Sequence, residues 1–204
     1  MHELFEVVKI RAKELGVKKI IVASSTGDSA KKAVKYLGTE DFDIIVVTDR
    51  AEAIFDVESL PEETRRVWKI KPGTKEYLSG ISHDSPVRRE LSEMGVNWII
   101  QATEVFRGFN VPGGCNVAQV ISKTLHLFGS GTKVAVEITL MACDAGAVMA
   151  GEDVIAMGGT DKGLNTALYL TAAHTDEFFG TGIKSGRKKP PKLRVKEVIY
   201  KRDW

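Results

Sequence analysis

Four short apolar runs in this chain end in hydroxyl, acidic or glycine residues, and chemistry would sit at those endings. Ser24-Ser25-Thr26-Gly27-Asp28-Ser29 follows Ile20 to Ala23, and Thr48-Asp49 follows Ile44 to Val47. Thr103-Glu104 follows Ile99 to Ala102, and Gly158-Gly159-Thr160-Asp161-Lys162-Gly163 follows Val154 to Met157. Hydroxyls beside the start of a helix suit an anion, because the first N–H groups of a helix lack internal partners and that end carries partial positive charge. Glycine lets the backbone approach a ligand closely. The chemistry predicted is capture of a phosphate. Ser and Asp in the first loop also fit ordinary helix capping, and the second glycine-bearing loop is what tips the balance.

Other reactive residues are less suggestive. Glu137 and Asp144 lie seven apart on an otherwise apolar stretch, which puts them on one helix face two turns apart. Buried carboxylates need partners, so a structural network tying the helix to a loop is favoured over an acid aimed at the ligand. His83, His126 and His174 show no metal-ligand spacing, and no metal is predicted. No Ser-His-Asp order stands out. The late glycine run lacks both the dinucleotide fingerprint and the complete triphosphate loop. Cys115, after Gly113-Gly114, would be activated at a helix start, but a buried or idle thiol is the plainer reading.

The elements that must carry these endings are legible in the apolar periodicity. Leu4, Phe5, Val8, Ala12 and Leu15 suit a helix stopping at Gly16; Lys18 to Ala23 reads as a strand; Ala30, Ala33, Val34 and Leu37 recur as a helix up to Gly38; Asp43 to Thr48 is a second strand. This alternation implies parallel pairing through right-handed crossovers. Further on, Arg66 to Ile70 reads as a short strand, Pro86 to Met94 as a helix and Val96 to Gln101 as a strand. Val117 to Phe128 and Val134 to Val148 follow as helices, then Glu152 to Met157, Thr166 to Thr171 and Leu193 to Tyr200 as strands. Only eight residues separate Met157 from Thr166, too few for a crossover helix, so an antiparallel return is expected. In a parallel sheet all four polar endings share one edge, the usual ligand crevice.

The chain's 204 residues suit a single α/β domain, 1–204, able to fold without disulfides or a structural metal. No apolar run approaches the ~20 residues that span a bilayer, and Met1 to Leu15 carries charges at helical spacing instead of a secretory signal. Two cysteines without a CxxC pairing fit reduced thiols and a cytoplasmic location. The net charge is +2, yet nine of the 29 basic residues and only two of the 27 acidic ones fall in 184–204. The basic loop 184–192 could attract phosphates, but no aromatic residues interleave it as single-strand binding would require, so nucleic acid is not the expected partner.

Three segments carry a family resemblance: Ala23 to Ala30, the helix-turn-strand from Val136 to Gly158, and Gly163 to Leu170. They resemble the carboxy-terminal α/β domain of pyruvate kinase, and more closely a stand-alone group of pyruvate kinase α/β domain proteins of unassigned activity, with similarity running to Val195-Lys-Glu-Val-Ile199. The resemblance implies a three-layer α/β/α fold, its mostly parallel sheet carrying an antiparallel edge strand at Thr166 to Thr171. In pyruvate kinase the loop matching Ser24 to Ser29 holds the phosphate of an allosteric sugar bisphosphate, and the loop matching Thr160 to Asn165 closes over it. The stand-alone group resembles binders of flavin mononucleotide (FMN). The catalytic barrel of pyruvate kinase has no counterpart within these residues, so kinase activity is not implied. Relatives carry histidines where this chain has Asp49 and Glu104, and the Gly-Lys-Lys-Pro-Pro stretch before the last strand is extra.

The resulting expectation is a homo-oligomeric protein binding a phosphorylated small molecule, FMN first, with a regulatory sugar-phosphate module as the alternative. Ser24, Ser25, Thr26, Gly27 and Ser29 would hold the phosphate, Gly158, Gly159, Thr160 and Gly163 would close the other side, and Thr48, Thr103 and Arg107 would reach the rest of the ligand. Any enzyme activity would be flavin-dependent redox chemistry.

Overall fold

A computed structural model describes residues 2–51, 53–108, 114, 116–180 and 191–202. Cys115 and residues 184–190 of the basic loop lie outside them. In chain order the elements are α1 (His2–Leu15), β1 (Lys19–Ala23), α2 (Asp28–Leu37), β2 (Asp43–Thr48), β3 (Ala53–Asp56), α3 (Glu62–Val67), β4 (Glu76–Ser79), α4 (Pro86–Glu93), β5 (Trp98–Gln101), α5 (Val117–His126), α6 (Ser130–Asp144), β6 (Asp153–Thr160), β7 (Gly163–Thr171) and β8 (Arg194–Lys201).

Six strands form one sheet in the order β5-β2-β1-β6-β7-β8. β5, β2, β1 and β6 run parallel; β7 returns antiparallel beside β6, and β8 antiparallel beside β7. The antiparallel edge is therefore a pair, with β7 one place inside it. The near-continuous apolar runs of β1 and β2 are what a strand covered on both faces requires. Ile20, Val22, Ile44, Val46 and Met157 point to one face, where α1, α2 and α4 pack on them. Ile21, Ile45, Val47, Val154 and Ala156 point to the other, against α6 and Phe106. Two cores, one on each face of the sheet, make the molecule three-layered.

Glycine sets how closely α6 lies on β6. A Cβ at Gly158 would stand 2.2 Å from the Gly131 carbonyl oxygen, and a Cβ at Gly131 would stand 2.2 Å from Asn165 Oδ1. The β6–β7 connection is tighter than the expected eight residues: β6 continues to Thr160 and β7 begins at Gly163, leaving Asp161-Lys162 as a two-residue turn, with a register shift at Gly158/Gly159.

One expectation is overturned. Arg66 to Ile70 is not a strand: α3 runs from Glu62 to Val67 and Trp68 follows at its C-cap. Pro61 precedes the helix, Glu62 and Glu63 occupy its first turn and Arg65 and Arg66 its last, an order the helix dipole favours. Five residues were too few for the apolar spacing to separate a strand from a helix end. The sequence reading also missed β3 and β4, four residues each, which pair antiparallel with Ala53 opposite Ser79 and Phe55 opposite Tyr77. Together β3, α3 and β4 form a small hood. Its inner face is a row of half-buried rings, Phe55 to Trp68 at 5.4 Å and Trp68 to Tyr77 at 5.3 Å between centroids.

Candidate functional site

A cavity of about 670 Å³ opens at the carboxyl edge of the parallel strands. Ser24, Ser25, Thr26 and Ser29 line one wall, Gly159, Thr160 and Gly163 another, and Thr48 lies between them. Phe55, Trp68 and Lys69 of the hood also line it. Gly27, Gly158, Thr103 and Arg107 do not reach the wall.

The first loop is wired from inside. Ser24 is buried, and its Oγ accepts from the backbone N–H groups of Gly27 (3.1 Å) and Ala30 (3.3 Å). Its hydroxyl thus shapes the loop and caps the start of α2. Gly27 is required at the bend: its φ is +92°, and a Cβ there would lie 2.3 Å from Val87 Cγ1. What this segment offers the cavity is Ser25 and Thr26 ahead of α2 and Ser29 in its first turn, with Lys31 and Lys32 next along the helix. Asp28, which would oppose an anion, has the Lys69 ammonium 3.8 Å away.

Thr48 is likewise committed: its Oγ1 accepts from the Ile81 N–H at 3.1 Å, anchoring the return from β4. The Ser79 hydroxyl donates to Asp49 Oδ2 (2.9 Å), and the Gly80 N–H donates to the Ser25 carbonyl (2.9 Å). Across the cavity the hood meets the β6–β7 turn through the Thr64 hydroxyl on Asp161 and the Lys162–Glu63 pair at 2.9 Å. Polar contacts therefore hold the hood to both walls. Burial, with the charge of Asp28 beside it, raises the pKa of the Tyr77 phenol.

Below lies a pair that the sequence reading half found. Glu137 is buried on the cavity wall, as is Lys133, one turn earlier on α6. Lys133 Nζ donates to Glu137 Oε2 at 2.5 Å, and the Phe106 N–H donates to Glu137 Oε1 at 2.8 Å. Glu104 Oε2 is 3.7 Å from the same ammonium, and Arg107 Nη2 holds Glu104 Oε1 at 3.4 Å from outside the cavity. Burial pushes the Glu137 carboxyl above its ordinary value, although Lys133 and the Phe106 N–H pull the other way. The i, i+4 spacing of Lys133 and Glu137 was the available signal; a lone lysine ahead of an apolar helix did not stand out as buried.

Asp144 does not join Glu137. It lies at the far end of α6, where Oδ1 accepts the Thr175 N–H (3.1 Å) and contacts His174 Nδ1 (3.2 Å), and Oδ2 accepts the Thr175 hydroxyl. The ties between helix and loop therefore exist, but as two separate ones: Glu137 to the segment at Phe106 and Asp144 to the segment at His174 and Thr175. Cys143 beside it is buried, and burial together with the Asp144 charge pushes its thiol up to about 12.

The family model described as the pyruvate kinase, alpha/beta domain matches residues 2–168. The chain belongs to that family. The pyruvate kinase alpha/beta domain match takes in every loop that builds the cavity and ends within β7, so β8 lies beyond it. The parallel strands, the helices on both faces of the sheet and the polar edge fall within this family's span.

Among the described residues, no group of three His, Cys, Asp or Glu side chains is placed to hold a metal ion. No helix among them is long and apolar enough to cross a membrane.

Proposed function

We propose that this protein binds a phosphorylated aromatic ligand, FMN before others, in the cavity at the carboxyl edge of the sheet. The observation that carries this reading is the convergence of the hydroxyl loop 24–29 and the hairpin 159–163 on one cavity under the Phe55–Trp68 rings. The residues present fit the group. Ser25 and Thr26 ahead of α2 and Ser29 in its first turn, with Lys32 behind them, match a phosphate; the volume lies in the range of small-ligand sites. The aromatic face of the hood matches a planar ring. FMN would supply redox chemistry, while the chain's part is to bind, orient and exclude water. The exposed apolar side chains of Val117 and Val120 on α5 are consistent with a homo-oligomer, and the free, buried Cys143 is consistent with a cytoplasmic protein.

A second reading is favoured by the phosphate end itself, which would hold a phosphate whatever it is attached to: a regulatory sugar-phosphate module. Titration decides between them. Purified protein mixed with FMN should quench flavin fluorescence stoichiometrically and rise in Tm. No shift with FMN together with a shift on sugar phosphates would transfer the site to the second reading.

A further inference from the structure

We propose that Lys133 is the recognition group for the ring end of the ligand, so that the site selects a phosphate ester whose other end is an aromatic ring edged with carbonyl acceptors. This rests on the reading that the cavity binds a phosphorylated ligand. Lys133 is 8% exposed and Glu137 is 3% exposed, yet both lie on the cavity wall. Removing an ammonium and a carboxylate from water costs several kcal/mol per ion before their attraction repays it, and apolar side chains of similar volume usually serve stability as well. A buried pair placed on a cavity wall is thus poorly explained by stability alone.

The bonding explains what the pair offers. Both Glu137 oxygens are occupied, Oε1 by the Phe106 N–H and Oε2 by Lys133, so Glu137 is a positioning residue. The ammonium carries three protons. One goes to Glu137; Glu104 at 3.7 Å is an ionic neighbour beyond hydrogen-bond reach. Protons remain for an acceptor in the cavity.

Charge then narrows the class. Lys133 and Arg107 offset Glu104 and Glu137, so this end is donor-bearing but balanced. A second phosphate dianion would meet no excess of positive charge here, and two carboxylates would oppose it. Carbonyl oxygens on a neutral ring accept from Lys133 without that opposition. The hood's Trp68 and Phe55 stand on the same cavity, which supplies the flat apolar surface such a ring needs. The site accordingly discriminates against ring-less sugar bisphosphates as well as for the flavin type.

The test compares a ring-bearing and a ring-less probe. Wild type, the K133M/E137L double variant, which strands neither charge, and K133R are titrated with FMN and with ribose 5-phosphate, after circular dichroism confirms folding. The expected result is at least a tenfold loss of FMN affinity in the double variant with ribose 5-phosphate affinity kept within twofold, and partial recovery in K133R. FMN affinity within twofold of wild type in the folded double variant, or an equal loss for both probes, overturns the proposal. If the double variant does not fold, K133M/E137Q, which keeps an acceptor for the Phe106 N–H, takes its place, with an unchanged FMN-to-ribose-5-phosphate ratio overturning the proposal. Wild type binding ribose 5-phosphate as well as it binds FMN sinks the ring preference alone. Wild type binding neither sinks the phosphate reading beneath it.

Discussion

The sheet and the hood build their halves of the cavity by different physics. Under the sheet, β1, β2 and β6 are apolar on both faces, and α6 has twelve of its fifteen residues buried. The hood has two four-residue strands, with Ile54 and Leu78 turned to solvent, and clasps the cavity through side-chain bonds and three half-buried rings. The sheet side is held by area removed from water, a large and non-directional term. The hood is held by a few directional contacts, each worth about 1 kcal/mol net. A ligand between them would find fixed polar loops on one side and a ring surface that can separate from them on the other.

The sharpest break of that contrast is in the sheet's packing. Leu140→Ala, fully buried on α6, should cost about 2–5 kcal/mol and lower the urea midpoint accordingly. A loss below about 1 kcal/mol would mean the core is not the cooperative unit. Trp68→Ala in the hood should cost less than the about 3–5 kcal/mol typical of a fully buried Trp or Phe. It should also speed hydrogen exchange in β3 and β4 while leaving β1 and β2 unchanged. Equal acceleration in both sheets would show the hood to be continuous with the core.

Thr64→Val, which removes the hydroxyl on Asp161, should destabilise by about 1 kcal/mol, visible as faster exchange confined to the hood. The smallest effect belongs to Asp153, near the antiparallel edge of the sheet. Burial works to raise its pKa, but bonds from Lys196, Thr171 and Tyr169 outweigh it and lower the carboxyl below its ordinary value. A lowered folded pKa gives stability that is present above the unfolded value and is lost as pH falls through the folded one. Asp153→Asn should therefore lower Tm slightly at neutral pH, where that stability is present, and leave it unchanged below the folded pKa, which flattens the acid limb of Tm against pH. An unaltered acid limb would mean that these bonds do not hold in solution.

Read along the chain, the apolar periods settle most of the architecture. Runs such as Ile20 to Ala23 and Asp43 to Thr48 can only be covered on both faces, and Ala30, Ala33, Val34 and Leu37 define the buried stripe of α2, so parallel order and a shared polar edge follow. Gly27 and the glycines of the late hairpin mark the two segments that build the cavity, because their backbone requirements are local. Tertiary structure alone decided which hydroxyls are spent: nothing in the sequence sets Ser24 and Thr48 apart from Ser25 and Ser29, yet their oxygens bond backbone from Ala30 and from Ile81, across six and 33 residues. It also decided that Lys133 is buried beside Glu137, that Arg107 acts on Glu104 from outside the cavity, and that Phe55, Trp68 and Tyr77 form one ring surface. Local patterns report which face of an element is apolar; the partner of a polar atom is chosen by chain segments far away, and its burial follows from their packing.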